Sequence, residues 1–184
     1  VDIANSSVQG CNKTTKGLHV FGFSPHKDHY DLIENLASPH RLVGLTWSED
    51  GESVLLRRST FDQYHDLYLG NAKMNGLNRI SDINPQQVGL KWSSVDLVSW
   101  MSYDSVQLEG LVYLPEDYDS TKAYPMLVYY YELNSDNLYR YRSPRPSASI
   151  INPVECASND YIVFVPDIRS VSYTHLTLPT ILLV

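Results

Sequence analysis

The sequence has little of several features that define large classes of protein. It contains two cysteines, Cys11 and Cys156, in 184 residues, which is too few for a disulfide framework and does not fix the redox compartment. It also lacks an excess of positive charge, because 14 lysines and arginines stand against 21 aspartates and glutamates, a formal net charge of -7. General nucleic-acid binding needs a basic face, so this balance argues against a nucleic-acid partner.

Long apolar runs are absent as well. No run approaches the roughly 20 residues of a membrane-spanning helix, so no spanning segment is expected. The first residue is Val1 rather than methionine, and no signal peptide follows it, so we expect the chain to be a piece of a longer protein. With 43% hydrophobic and 19% charged residues, the composition is that of a chain with a packed core.

The first half of the sequence consists of short apolar segments separated by turn signals, and many of the 14 tyrosines lie on segments of this kind. The pair Asp50-Gly51 stands between two apolar runs and predicts a β-hairpin. The order strand, Asp-Gly turn, strand, Asp-Leu-Tyr strand and Asn-Gly turn is typical of one four-stranded propeller blade. A less distinct partial unit precedes this blade.

The pattern changes near Val95. From there we predict, in order, a hairpin at 95–113, a loop at 114–120, a strand at 126–131 buried on both faces, a helix within 144–159 and a buried strand at 161–166. The helix is expected to begin near Ser147 or Ser149, and Pro146 and Pro153 limit its length. A strand, a crossover helix and a second strand indicate the opening of a doubly wound parallel sheet.

Two stretches carry a family resemblance. They are YLPEDYDSTKAYPMLVYYYE at 113–132 and YIVFVPDIR at 161–169, and with the blade before them they resemble the prolyl oligopeptidase family of serine peptidases, in its dipeptidyl-peptidase branch. The resemblance covers about 40–169, and 100–169 is its specific part. It implies a mixed β and α/β fold in which the end of a β-propeller is followed by the first strands of an α/β-hydrolase domain. The implied division is 1–94 for the partial propeller and 95–169 for the hydrolase part.

The resemblance implies that the parent protein hydrolyses short peptides by Ser-His-Asp acyl transfer, with no metal or organic cofactor. The nucleophile of such an enzyme stands in a Gly-x-Ser-x-Gly elbow, followed along the chain by the Asp and the His. No such elbow occurs in this sequence. The Ser, Asp and His of the triad are therefore absent from the chain, and we expect the fragment alone to be inactive.

One residue of the implied mechanism is present. In this family a tyrosine at the end of the strand after the Tyr-Pro pair helps to stabilise the tetrahedral oxyanion, and that position falls on Tyr131. A phenol there can donate a hydrogen bond to the developing charge. The alternative is that Tyr131 is one more strand-end tyrosine beside Tyr129 and Tyr130. Glu132 departs from the small residues common at this point in the dipeptidyl peptidases.

The tail after Arg169 leaves the family pattern. Residues 170–184 contain no Asp, Glu, Lys or Arg, and 171–180 resembles the translation of a transposase-type sequencing adapter. We expect 170–184 to be a non-native tail from sequence assembly, the alternative being a native apolar strand. On either interpretation His175 is not a triad histidine.

Other chemistry-bearing residues are given structural roles. His26, Asp28, His29 and Asp31 have metal-ligand side chains but no second cluster, and Lys27 opposes a cation, so a solvated loop is expected. The triplets that begin at Asn5 and Asn12 fit glycosylation acceptors, which are common by chance. We expect Asp167 and Arg169 to hold the following loop, and Cys156 to be a packing residue on the helix.

A basic and aromatic cluster follows the predicted strand at 126–131. Arg140, Arg142 and Arg145 alternate with Tyr139 and Tyr141, a pattern also found on single-stranded nucleic-acid platforms. Because the overall charge disfavours that function, we expect a loop over a peptide-binding cleft. A solvated loop and an arginine that pairs with a substrate carboxylate remain alternatives.

Two alternatives to the peptidase hypothesis stay open. The first is a non-catalytic propeller-type binding module, and the second is a translated assembly artefact that is never made as a protein. An elbow serine in the downstream sequence supports the enzyme and its absence supports the module, whereas a stable, monodisperse expressed product counts against the artefact. The sequence does not fix the peptide preference, the oligomeric state or the compartment, which by family analogy is periplasmic or cytoplasmic.

Overall fold

The computed structural model describes residues 7–25, 30–131, 133–147 and 150–168. In this part of the chain, β-strands dominate and helices are few and short. The strands are β1 (Ser7–Cys11), β2 (Leu18–Pro25), β3 (Tyr30–Ser38), β4 (Arg41–Trp47), β5 (Ser53–Ser59), β6 (Asp66–Asn71), β7 (Asn78–Arg79), β8 (Ser94–Met101), β9 (Gln107–Leu114), β10 (Met126–Val128) and β11 (Ile162–Pro166). One α-helix, α1 (Pro153–Ser158), and two 3-10 turns, Pro85–Gly89 and Ser135–Asn137, complete the described elements.

The first seven strands form two antiparallel sheets. One has the order β1-β2-β3 and the other the order β4-β5-β6-β7. A shared apolar core lies between them, in which Val20, Val54 and Leu56 have no exposed surface. The second sheet has four strands in sequence order, which is the strand order expected of the predicted blade. The first sheet lies where the less distinct unit was expected.

The hairpin predicted at Asp50-Gly51 is confirmed. β4 and β5 pair in antiparallel register from Arg41 opposite Ser59 to Trp47 opposite Val54. The Asp50 carboxylate accepts hydrogen bonds from the Ser48 hydroxyl at 2.5 Å and from the Glu52 N–H at 3.0 Å. Gly51 has a φ of 71°, a left-handed conformation that costs glycine little, and this explains why glycine follows the aspartate.

The buried carboxylate of Asp66 binds the segment that follows β7, at the edge of the second sheet. Asp66, which is 6% exposed, accepts hydrogen bonds from the Ser81 hydroxyl at 2.8 Å and from the Ile83 N–H at 3.0 Å. The Arg79 guanidinium pairs with it at 2.6 Å. Burial raises the pKa of the Asp66 carboxyl, but these hydrogen bonds and the arginine outweigh burial and hold that pKa below its usual range.

The last four strands form a mixed sheet with the order β10-β11-β9-β8. β8 and β9 form the second predicted hairpin, which is confirmed, with a turn closed by the Ser102 N–H and the Val106 carbonyl at 2.8 Å. β10 and β11 are parallel, from Met126 opposite Ile162 to Val128 opposite Phe164, as expected for strands joined through a helix. β11 is antiparallel to β9 on its other side.

The prediction that the strand at 126–131 is buried on both faces is wrong for the described chain. The strand ends at Val128, and Met126 and Val128 are 56% and 52% exposed. Leu127 and Tyr129 pack against the core on the opposite face. The cause is topological, since β10 is the edge strand of the described sheet and one of its faces has no covering element there.

The core of the mixed sheet includes a residue from the loop that follows β5 of the second sheet. Leu111, Val154, Ala157 and Val163 are fully buried, and Phe61, from the loop after β5, packs on Tyr113 with ring centroids 5.6 Å apart. Cys156 packs against the same cluster, which confirms its packing role. In the described residues, none of the helices combines the length and apolarity needed to cross a bilayer.

The predicted start of the helix is wrong. α1 begins at Pro153, and its cap is Asn152, whose side-chain oxygen accepts hydrogen bonds from the N–H groups of Val154 at 3.2 Å and Glu155 at 3.5 Å. Ser147 lies before the helix and outside any regular element, and its hydroxyl accepts a hydrogen bond from the Ile150 N–H at 3.3 Å. Ser149 lies outside the described residues. Proline suits the first helical position because its missing N–H has no intrahelical partner there, so Pro153 opens the helix instead of limiting it.

A buried lysine joins the first sheet to the mixed sheet. Lys16, 8% exposed, lies in the turn between β1 and β2, and its ammonium is 2.8 Å from Glu109 of β9 and 3.3 Å from Asp136. Burial lowers the pKa of Lys16, but the two carboxylates outweigh burial and raise that pKa. The ammonium therefore stays charged and connects distant parts of the chain.

Candidate functional site

Tyr131 follows the carboxyl end of β10. Its side chain is 63% exposed, and its carbonyl accepts a hydrogen bond from the Asn134 side-chain amide. Because β10 and β11 are parallel, their carboxyl ends lie at the same edge of the sheet, which is where binding sites form in open α/β sheets. Tyr131 thus has a free phenol at this edge. Glu132 lies outside the described residues.

Asp167 fixes the turn that follows Tyr131. One oxygen of its carboxylate accepts hydrogen bonds from the backbone N–H groups of Asn134 at 2.5 Å and Ser135 at 2.9 Å. Its own N–H donates to the Glu109 carbonyl at 2.9 Å. Asp167 therefore holds the turn after Tyr131, which precedes it in the chain, and the expectation that it also holds the loop after β11 stays a prediction, because that loop lies outside the described residues. Arg169 lies outside the described residues.

Tyr131 and the three arginines line one cavity of about 680 Å³. Arg140, Arg142 and Arg145 lie along the segment between the turn at Ser135–Asn137 and α1. Tyr64 and His65, from the loop between β5 and β6, contribute to the same wall. The size is that of a site for a short peptide or a drug-sized molecule. The arginine loop therefore borders a cavity, and the expectation that it lies over a peptide-binding cleft stays a prediction.

The cavity is positively charged in the part of the chain that the structure describes. Arg142 and Arg145 have no carboxylate within ion-pair distance there, and Arg140 donates only a long hydrogen bond, 3.4 Å, to the Asn137 side chain. No Asp or Glu lines the cavity among these residues. Burial, and to a lesser extent Arg57 and Arg41, lowers the pKa of His65, so its imidazole is neutral near pH 7.

Tyr141, one of the two tyrosines of the loop, packs against other aromatic side chains. Tyr141 stacks on Trp92 with centroids 5.4 Å apart and meets Tyr64 edge-on at 5.1 Å. Its hydroxyl donates to the Gln87 side chain at 3.1 Å and accepts from the Asn84 side chain at 3.3 Å. Trp92 and Tyr64 therefore contact the ring of Tyr141, so this ring does not present a stacking surface for bases. The same contacts position Arg140 and Arg142, which precede and follow Tyr141 in the sequence.

Asn152 anchors the other end of the loop. Its side-chain N–H₂ group donates to the carbonyls of Ser143 at 2.9 Å and Arg145 at 3.1 Å, while its oxygen caps α1. One side chain thus ties the arginine loop to the helix. The sequence analysis missed Asn152, although an Asn-Pro pair before an apolar helical segment is a signal that could have found it.

None of the remaining candidates forms a site within the part of the chain that the structure describes. His26, Asp28, His29, Asn5 and His175 lie outside the described residues, as does the side chain of Asp31, and no group of three potential metal ligands occurs among those described. Asn12 is described, and its side-chain oxygen accepts from the N–H groups of Thr14 and Thr15, both at 2.9 Å. Its side chain therefore serves a local turn.

Comparisons with known proteins give structural matches only. No protein-family model matches the sequence, and no curated protein matches it. The AtxE2 isopeptidase matches with a TM-score of 0.56 and 12% identity over 86% of this chain and 25% of its own. The acylaminoacyl peptidase of Pyrococcus horikoshii matches with a TM-score of 0.56 and 15% identity over 82% of this chain and 21% of its own.

A third match is the dipeptidyl peptidase 4 of Porphyromonas gingivalis, with a TM-score of 0.58 and 14% identity over 88% of this chain and 22% of its own. The chain spans about a quarter of the length of these three structures, which are all peptidases. At such low identity the likeness establishes the fold. The described residues therefore share the fold of part of these peptidases.

Proposed function

We propose that the chain is part of a serine peptidase of the prolyl oligopeptidase type that hydrolyses short peptides. The observation that carries this proposal is the position of Tyr131, whose exposed side chain lies three residues after the end of β10, near the carboxyl edge of the mixed sheet, and lines a cavity of about 680 Å³. The strand order β8-β9-β11-β10 supports an α/β-hydrolase arrangement, and the blade before it supports a propeller. The likeness to solved peptidases supports the same conclusion.

In the proposed mechanism the reaction is acyl transfer to a serine. The serine hydroxyl attacks the scissile carbonyl, a histidine accepts its proton and returns it to the leaving amine, and an aspartate orients the histidine. These three residues would come from sequence beyond this chain. The Tyr131 phenol donates a hydrogen bond to the carbonyl oxygen as it becomes an oxyanion, an interaction of about 3–4 kcal/mol when the donor is already in place.

The turn after Tyr131 supports this proposed role. The Asp167 carboxylate holds the N–H groups of Asn134 and Ser135, and the Asn134 side chain holds the Tyr131 carbonyl. The backbone on the carboxyl side of Tyr131 is thereby fixed to the neighbouring strand end. Donors that need no rearrangement during the reaction stabilise the transition state most effectively.

A binding module without catalysis is the second candidate. The observation that favours it is the peptide-sized cavity, which peptide binding alone would use. Such a module would bind peptides in the same cavity. The two functions therefore differ in the presence of a nucleophile and agree on the ligand.

The test begins with long-read sequencing of the source DNA across the codon for Arg169. A frame that continues to a Gly-x-Ser-x-Gly elbow supports the peptidase, and the protein it encodes is then expressed and assayed with a fluorogenic peptide. Tyr131→Phe should lower kcat by about 100-fold or more with little change in KM. Tyr130→Phe is the matched control, because Tyr130 is similarly exposed, 66% against 63%. A frame that stops after Val184 contradicts the proposed peptidase. Equal activity of the two variants contradicts the role of Tyr131 as an oxyanion donor.

A further inference from the structure

The arginine-lined cavity is positively charged, whereas the chain as a whole has a negative net charge. Three of the 14 basic residues lie within the six positions 140–145, in a chain with a formal net charge of -7. All three line the same cavity, and no Asp or Glu of the described residues lines it with them. Three guanidinium groups around one space repel one another, so an anion that enters the space relieves this repulsion.

We propose that this cavity binds a carboxylate of the peptide ligand through Arg142 and Arg145. The inference rests on the proposed function, since it specifies the class of peptide that the same site accepts. Arginine suits this role because its planar guanidinium donates two parallel hydrogen bonds to the two oxygens of a carboxylate. Tyr64 and Tyr131 supply apolar ring surface for the rest of the peptide.

The arginine loop is held in place before any ligand arrives. The Asn152 side-chain amide donates hydrogen bonds to the carbonyls of Ser143 and Arg145. Tyr141 packs against Trp92 and Tyr64. Arg142 lies between these two anchors in the sequence. A loop that is already ordered loses less conformational entropy on binding, so its charged contacts contribute more to affinity.

The carboxylate has two sources in peptides, the C-terminal α-carboxylate and the side chain of Asp or Glu. The full 184-residue chain is immobilised on a biosensor through an N-terminal biotin, and four probes are titrated. They are the tetrapeptide Ala-Pro-Ala-Ala with a free C-terminus, its C-terminal amide, the amide with a glutamate in the last position, and glutarate. We expect the free acid to bind at least about tenfold more tightly than the amide.

The variants locate the contact. Arg145→Gln, at an exposed residue, should reduce the preference for the free acid to less than about threefold, and Arg142→Gln should do the same, while the affinity for the amide stays unchanged and reports an intact fold. Lys73→Gln is the charge-matched control, because Lys73 is exposed on the turn after β6 and does not line the cavity. It should leave the preference intact.

Each outcome separates the inference from the proposed function. Tight binding of the glutamate amide alone assigns the carboxylate to a side chain and supports the inference. Equal affinity for all three peptides overturns the inference and leaves a peptide site. Binding of glutarate without any peptide supports the carboxylate site and contradicts the peptide function. Failure of all four probes overturns both.

Discussion

Asp167 offers a sharp test of how the turn after Tyr131 is held. Its carboxylate accepts two backbone hydrogen bonds, at 2.5 Å from Asn134 and 2.9 Å from Ser135. Ser135 is 2% exposed, so water cannot replace its lost partner, and this bond contributes about 2 kcal/mol. Asn134 is half-buried, so its bond contributes about 1 kcal/mol. Asp167→Ala should therefore lower the free energy of unfolding by about 3 kcal/mol.

Asp167→Asn separates charge from shape. The asparagine oxygen can still accept both hydrogen bonds but has no negative charge, and a bond to a charged group is about twice as strong as a neutral one. We expect a loss of about 1 kcal/mol for this variant. Urea denaturation, followed by far-UV circular dichroism, measures the free energy of unfolding of the parent chain and of the two Asp167 variants. Glu49→Ala, at an exposed residue, controls for the loss of one negative charge.

Two results would refute this reasoning. If Asp167→Ala changes the free energy of unfolding by no more than Glu49→Ala, which should stay within about 0.5 kcal/mol, the two hydrogen bonds do not hold the turn. If Asp167→Asn is as destabilising as Asp167→Ala, the charge and not the hydrogen-bond geometry dominates. A selective loss at Asp167 supports the turn as the element that positions Tyr131.

Two further predictions concern anchors elsewhere in the chain. Asn152→Ala should lower the free energy of unfolding by about 1–2 kcal/mol in urea, because it removes a helix cap and the two bonds to the arginine loop, whereas equal stability would contradict the cap. The pKa of Asp66 is lower in the folded state than in the unfolded state, so its stabilisation is present above about pH 4 and is lost as the pH falls through the folded pKa. Asp66→Asn should therefore reduce stability at pH 7 and flatten the loss between pH 5 and pH 2, and a variant that follows the parent curve at every pH would overturn this assignment.

Local signals in the sequence predicted the hairpins and the parallel pair of strands. The Asp50-Gly51 turn is specified by its own residues, since the aspartate binds the turn and the glycine adopts the positive φ. The apolar run at 161–166 likewise predicted a strand, and β11 forms there with Val163 and Val165 buried. Such features depend on neighbours in sequence, and this is why they can be predicted.

Long-range contacts decide what the sequence did not predict. The burial of β10 depends on whether another element covers Met126 and Val128, and the apolar run 126–131 alone contains no such information. The wall of the cavity depends on Tyr64 and His65, which lie far from Arg140 in the sequence and reach it through the Tyr64–Tyr141 contact. The role of Asp167 depends on a turn more than 30 residues earlier, since its hydrogen bonds span 33 and 32 positions.

Lys16 has a consequence for the order in which the chain acquires its structure. Its partner Asp136 is 120 positions away, and the entropy lost on closing so long a loop must be recovered by contacts that already exist. The hairpins β4–β5 and β8–β9 close over a few residues and can form early, whereas the Lys16 contacts need both sheets to be largely in place. The contacts of Lys16 with Glu109 and Asp136 are then the first to open. The first sheet should therefore separate from the mixed sheet before either sheet loses its own hydrogen bonds.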